Sequence, residues 1–113
     1  MAEDCLFCRI VRGDLPATKV VETDEFIAFR DINPQAPVHI LVIPRAHVSS
    51  LNEARDAGVV GRLALLAVEV AQREGIAERG YRTVFNTNAD GGQTVSHLHL
   101  HLLGGRPMRW PPG

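Results

Sequence analysis

Three histidines alternate with leucines in the segment Ser96-His97-Leu98-His99-Leu100-His101-Leu102-Leu103. Imidazole is the side chain best suited to nucleophilic, acid–base and metal chemistry near neutral pH. On a β-strand, positions i, i+2 and i+4 share one face. The spacing therefore predicts that all three rings line one surface while Leu98, Leu100 and Leu102 enter the core. A terminal affinity tag or a solvated histidine cluster would lack the interleaved leucines. A second chemical motif is Cys5-Leu6-Phe7-Cys8, whose C-x-x-C spacing lets two thiolates grip one tetrahedral ion. A pair of buried or redox-active cysteines is the other reading of that spacing. Just before the histidines stands Gly91-Gly92-Gln93-Thr94. Glycines let backbone N–H groups approach an anion, and the amide and hydroxyl side chains add donors.

These residues need elements to hold them. Residues 6–12 read as a short helix ended by Gly13 and Pro16. Residues 19–22 and 25–30 read as strands joined by a two-residue turn at Thr23-Asp24. Val38-His39-Ile40-Leu41-Val42-Ile43, closed by Pro44, reads as a central strand. The long helical candidate is 54–75. Val59, Leu63, Leu66 and Val70 form its apolar stripe, widened by Leu65 and Val68, and Arg55, Arg62, Glu69 and Arg73 form its solvated face. Gly61 weakens this helix by about 1 kcal/mol relative to Ala, and a glycine there suits close packing against another subunit. Residues 81–86 read as a strand, 88–92 as a flexible turn, 97–103 as the last strand, and 106–113 as an extended Pro-rich tail. Hairpin-like strands with one long and one short helix predict an α+β domain with an antiparallel sheet.

Composition narrows the function classes. A chain of 113 residues is one domain, 1–113, large enough to bury a core without disulfides. A net charge of −1 with scattered arginines gives no basic stripe for nucleic acid. No apolar run approaches a membrane span. The acidic start, Met1-Ala2-Glu3-Asp4, argues against a secretory signal, so a cytoplasmic protein is expected. In that compartment paired cysteines point to metal or redox chemistry rather than a structural disulfide.

The triad resembles the histidine triad family, whose signature is His-φ-His-φ-His-φ-φ with φ apolar. Gly91-Gly92-Gln93-Thr94-Val95, Asp31-Ile32-Asn33-Pro34-Gln35-Ala36-Pro37 and Trp110-Pro111-Pro112-Gly113 resemble the Hint branch of that family, so the likeness spans nearly the whole chain. It implies a HIT-like fold, with a five-stranded antiparallel sheet extended across a homodimer. It implies His99 as the nucleophile toward a nucleoside phosphate derivative, forming a nucleotidyl-histidine. His101 would contact the phosphate and assist proton transfer, and His39 would support it; taken from the residues alone, His39 is equally a core histidine. Asn86, Gly92, Gln93 and Thr94 would lie at the phosphate, with Thr94 standing where the branch usually has Ser. Asp31 would bind the ribose beside Ile32. Leu6, Phe7, Ile10, Phe29 and Leu41 would wall the base, and Trp110 would shape the leaving-group side.

The resemblance also completes a zinc site. Zinc-bearing relatives add a histidine after the apolar strand and the first triad histidine, which here are His47 and His97 beside Cys5 and Cys8. Four protein ligands make a closed, structural site. The implied function is hydrolysis of purine nucleoside 5′-phosphoramidates at the P–N bond, with aminoacyl-adenylates as a related class. Adenosine or guanosine monophosphate derivatives would be the substrates. Alternatives are a diadenosine polyphosphate hydrolase or nucleotidyl transferase, a nucleotide-binding regulatory protein with little catalysis, and a zinc-dependent interaction module.

Overall fold

Local chemistry sets the first element. In the computed structural model, which describes residues 4–113, helix α1 (Leu6–Arg12) is capped by the Cys5 sulfur, which accepts the Cys8 N–H. Gly13 ends it in the left-handed conformation, φ 83°, a geometry that glycine adopts without steric cost. The acidic stretch at residues 1–3 lies outside the described residues.

Five strands follow: β1 (Lys19–Glu22), β2 (Phe26–Arg30), β3 (Val38–Pro44), β4 (Tyr81–Phe85) and β5 (Leu100–Gly104). They form one antiparallel sheet in the order β1-β2-β3-β5-β4. The β1–β2 connection has three residues rather than two. The Thr23 hydroxyl accepts the N–H groups of Glu25 and Phe26, which draws Glu25 into the turn.

The sheet has two covered faces. On one, Phe26, Ala28, Ile40, Val42, Leu100 and Leu102 pack against helix α2 (Ala57–Arg73). On the other, Ile27, Phe29, Leu41 and Ile43 pack against α1. That second face also carries His39 and His101, because His101 pairs with Leu41 and His39 with Leu103.

Helix α2 is shorter than its apolar pattern predicts. Asp56 caps it by accepting the N–H groups of Gly58 and Val59, and Leu51–Glu53 forms a separate 3-10 turn. Its buried stripe is Leu63, Leu66, Ala67, Val70 and Ala71. Leu65 and Val68 do not widen it; they are 68% and 37% exposed. At about 100° per residue, Leu65 points roughly opposite Leu63. Residues 88–92 are not a flexible turn either. Asn88–Gly91 is a short helix, α3, closed by Gly92 at φ 77°. No helix among the described residues is long and apolar enough to cross a membrane.

Gly104 closes β5 beneath Ile76. A Cβ there would lie 2.5 Å from Ile76 Cδ1 and 3.2 Å from its Cβ. Gly104→Ala is predicted to lose about 1–3 kcal/mol of stability in urea unfolding, the usual range for overpacking. An unchanged midpoint would show that Ile76 moves aside freely.

Candidate active site and metal cluster

The triad does not behave as one strand. Regular pairing begins only at Leu100, and His97 sits in a bend. Its N–H turns back to the Val95 carbonyl, and Leu98 N–H bonds the Val48 carbonyl instead of a sheet neighbour. The leucines are buried as predicted. The three imidazoles, however, do not line one open surface: His97 is fully buried and turned toward the cysteines, while His99 and His101 face a cavity.

Around His97 four potential ligands meet. Cys5 Sγ lies 3.3 Å from His97 Nδ1, and Cys8 Sγ lies 3.5 Å from His97 Nδ1 and 3.2 Å from His47 Nδ1. The ligand atoms of Cys5, Cys8, His47 and His97 all fall within 4.8 Å of one another. A tetrahedral zinc with ordinary Zn–S and Zn–N bonds sets sulfur and nitrogen about 3.5 Å apart, so this donor set fits such an ion. His97 Nε2–H donates to the Pro44 carbonyl at 2.8 Å, which leaves Nδ1 with the lone pair aimed at the sulfurs. Burial lowers the His97 pKa, which keeps the ring neutral as a ligand requires. Burial, with Cys5 adding to it, pushes the Cys8 thiol up, so a thiolate there calls for a cation.

The second group is a histidine relay whose tautomers follow from its hydrogen bonds. The Gln35 N–H donates to His39 Nδ1 at 3.0 Å, so His39 carries its proton on Nε2. His39 Nε2–H donates to His101 Nδ1 at 2.9 Å, so His101 presents an N–H at Nε2. Asp31 Oδ2 stands 3.4 Å from His39 Nε2. His99 Nδ1–H donates to the His97 carbonyl at 2.7 Å, which leaves His99 Nε2 with its lone pair. Burial lowers the pKa of His39 and His99 against the opposing pull of Asp31. His101 is pushed down to about 4, first by burial and then by His99 and His39. All three rings are neutral at pH 7.

A cavity of about 380 Å³ opens beside these rings. Leu6, Phe7, Ile10, Phe29 and Leu41 wall it, Asp31 and Ile32 stand at its edge, and Thr94, His99 and His101 close it. Leu15, Pro16, Ala17 and Val95 also line it. The sequence reading gave Leu15, Pro16 and Ala17 no place in the cavity, although an apolar run just past the helix-ending Gly13 was a usable signal. Phe7 joins the two groups, its ring meeting those of His97 and His99 edge-on at 5.9 and 5.1 Å.

Other predicted residues stand around this centre. Gln93 is turned into the protein: its Nε2 donates to the carbonyls of Ser49 and Val95, and its Oε1 accepts the Asn88 N–H. Its contribution is to hold α3 against the segment that follows His47. Asn86 is half-buried, and a Cβ added at Gly91 would come 3.6 Å from its backbone carbonyl carbon. Trp110 is outside the cavity, 82% exposed, with the Arg82 guanidinium 6.0 Å from its ring centroid.

The neutral relay has a thermodynamic consequence. A histidine whose folded pKa lies below its ordinary 6.5 binds fewer protons than in the unfolded chain, so acid favours unfolding. The contribution of His101 is complete above about pH 6.5 and is lost as pH falls toward 4. His101→Asn is predicted to flatten the fall of the urea midpoint across that window. An equally steep fall in the variant would show that His101 is not held neutral.

The chain is similar to known proteins in sequence and in fold. The HIT domain profile matches residues 12–108. A purine nucleoside phosphoramidase from Escherichia coli K12 is 48% identical over 110 residues, covering 96% of this chain and 92% of that protein. The crystal structure of a HIT family hydrolase from Legionella pneumophila superposes with a TM-score of 0.95 at 52% identity, covering 97% of this chain and all of that one. A histidine triad protein from Clostridium difficile superposes with a TM-score of 0.91 at 42% identity, covering 94% of each chain. The chain belongs to the HIT domain family.

Proposed function

We propose that this HIT family hydrolase cleaves the P–N bond of purine nucleoside 5′-phosphoramidates through a nucleotidyl-histidine intermediate. One observation carries the reading: His99 Nδ1–H is fixed on the His97 carbonyl, which directs the Nε2 lone pair of a neutral imidazole toward the cavity. The name and 48% identity of the Escherichia coli relative support it. His99 Nε2 attacks the phosphorus, and the amine departs with the electron pair of the broken bond. An anionic phosphate beside His101 favours uptake of one proton, which His101 Nε2 delivers to the departing nitrogen. Water then attacks the phosphorus, gives a proton to His101, and returns the bonding pair to His99. His39 holds His101 in the required tautomer.

In this reading the base stacks among Leu6, Phe7, Ile10, Phe29, Ile32 and Leu41, and Asp31 accepts from the ribose hydroxyls. Asn86, Gly92 and Thr94 serve the phosphate, and Gln93 sets the shape of their loop. Apolar walls hold a purine with little discrimination, and aminoacyl-adenylates form a related substrate class. Residues 1–113 act as one catalytic domain in the cytoplasm. The chain forms a homodimer through the β4 edge and the exposed Gly61, Leu65 and Val68 of α2, with Trp110 near the leaving-group side. Zinc is held by Cys5, Cys8, His47 and His97, and when bound it ties α1 to the bend that carries His99.

Two experiments test the reading. His99→Ala is predicted to slow turnover of adenosine 5′-phosphoramidate by at least about a thousandfold and to abolish the adenylyl adduct seen by intact-mass spectrometry. Turnover that survives the substitution would sink the covalent route. The purified protein is predicted to carry about one zinc per chain by elemental analysis. Cys5→Ser should lose the zinc, melt at lower temperature and bind adenosine monophosphate more weakly. Unchanged affinity in a folded Cys5→Ser protein would detach the metal cluster from the nucleotide site.

A further inference from the structure

The cluster of Cys5, Cys8, His47 and His97 is a pair of thiols as well as a set of ligands. Both cysteines are free and buried. They sit one helical turn apart, and the ligand atoms of the cluster all fall within 4.8 Å of one another. A disulfide needs about 2 Å between sulfurs, and side-chain rotation within a C-x-x-C motif supplies the difference. The two sulfurs differ in access. A recess of about 480 Å³ is lined by Cys5 and His47, with Ser49 and Ser96 beside them, whereas Cys8 and His97 do not line it. It shares only Leu6, Thr94 and Val95 with the cavity beside His99 and His101. A small reagent therefore reaches Cys5 without entering that cavity.

What the sulfurs do for His97 depends on their hydrogens. His97 Nε2–H is committed to the Pro44 carbonyl at 2.8 Å, so Nδ1 carries a lone pair. That lone pair has Cys5 Sγ at 3.3 Å and Cys8 Sγ at 3.5 Å. In the reduced chain a thiol S–H donates to it, or an ion held by the thiolates shares it. A disulfide has no hydrogen and is no thiolate, so it satisfies the lone pair in neither way. His97 is fully buried, and an unpartnered acceptor there is costly. The ring must then shift, and it is joined to the cavity twice. Its own carbonyl holds His99 Nδ1–H at 2.7 Å. Phe7, between the two cysteines in sequence, meets the His97 and His99 rings edge-on and lines the cavity.

The geometry points to Cys5 as a site of oxidation by hydroperoxides, with Cys8 closing a disulfide that unpins His97 and loosens the nucleotide cavity. The inference goes beyond P–N cleavage and rests on the reading of that cavity as a nucleotide site. The Cys5 thiolate attacks one oxygen of the hydroperoxide. The S–O bond forms, the O–O bond breaks, and the departing oxygen takes a proton and leaves as water or an alcohol. The Cys8 thiolate then attacks Sγ of the Cys5 sulfenic acid. The S–S bond forms, the S–O bond breaks, and the hydroxide takes a proton and leaves as water. Two electrons pass from the sulfurs to the peroxide. The step withdraws two of the four donors, so a bound zinc is released. An external thiol reverses it by exchange. Coupling between sites is reciprocal, so a disulfide that weakens nucleotide binding is itself disfavoured by nucleotide to the same degree.

The test compares the reduced protein with protein treated with hydrogen peroxide. Intact mass is expected to fall by two hydrogens per chain, with zinc released to a colorimetric chelator. Affinity for adenosine monophosphate by titration calorimetry should fall about tenfold, within the usual range of coupling between sites. Dithiothreitol with added zinc should restore it. Saturating adenosine monophosphate should move the glutathione redox ratio at half-oxidation by the same factor, toward the oxidised side. Cys8→Ser should stop at the sulfenic acid and carry a dimedone label on Cys5. Thiols that survive peroxide overturn the inference, and an unlabelled Cys5 in Cys8→Ser overturns its role. A folded disulfide form with unchanged affinity overturns the inference alone. A disulfide form that circular dichroism shows to be unfolded overturns it too, since the loss is then global. A reduced protein that binds no adenosine monophosphate overturns the nucleotide reading, and the inference with it. Reduced protein without zinc overturns the metal reading of the cluster, while mass and affinity decide the inference as before.

Discussion

The buried His97 binds three parts of the site together. Its Nε2–H is held by the Pro44 carbonyl at the end of the central strand, its Nδ1 meets both cysteine sulfurs, and its own carbonyl accepts from His99 Nδ1. A buried polar group without partners costs free energy, so each of these contacts constrains the others. Orientation of the His99 ring thus depends on backbone geometry two residues upstream. That geometry in turn depends on the cysteine pair and on the bend secured by Leu98 N–H on the Val48 carbonyl. Phe7, set between the cysteines in sequence and against His99 in space, transmits the same constraint to the cavity wall.

The segment from His47 to Ser50 extends the constraint to the loop around Gly92. His47 belongs to the metal cluster, Val48 bonds the triad bend, and the Ser49 carbonyl accepts from Gln93. Gln93 also takes the Asn88 N–H, so one short stretch of backbone braces the donor cluster, the segment that carries His99, and α3. An amide is suited to this position because it offers two donors and an acceptor at once. Gln93 thereby braces the loop that carries Gly92 and Thr94.

Much of the fold was legible because period and punctuation agreed. Gly13 closed α1, Pro44 closed β3, and the alternation with histidines correctly put Leu98, Leu100 and Leu102 in the core. The failures have physical sources. Leu65 and Val68 were assigned to the core by hydrophobicity alone, though their angular positions lie off the Leu63–Val70 stripe. The bend at His97 was hidden because an alternating pattern fits extended backbone whether or not it is paired. The gathering of Cys5, Cys8, His47 and His97 follows family likeness rather than local spacing. The roles of the Pro44, Val48 and Ser49 carbonyls carried no signal, since every residue has a carbonyl and only the fold decides which one faces inward.

The relay shows why the site needs a sheet rather than a loop. His39 and His101 sit on adjacent antiparallel strands, and their register fixes the 2.9 Å contact between them. Backbone N–H groups carry no charge, so Gln35 can set the His39 tautomer without raising its pKa as a nearby carboxylate would. Asp31 adds a modest opposing pull, yet burial prevails and the rings stay neutral. A neutral imidazole in a fixed tautomer offers a lone pair at one nitrogen and a proton at the other, and neither function requires a charge in the resting protein. The same sheet separates the surroundings by sign, with Asp31 on one side of the histidines and Arg82 on the other. The polarity follows from strand order: β2 and β4 lie on opposite sides of the β3–β5 pair.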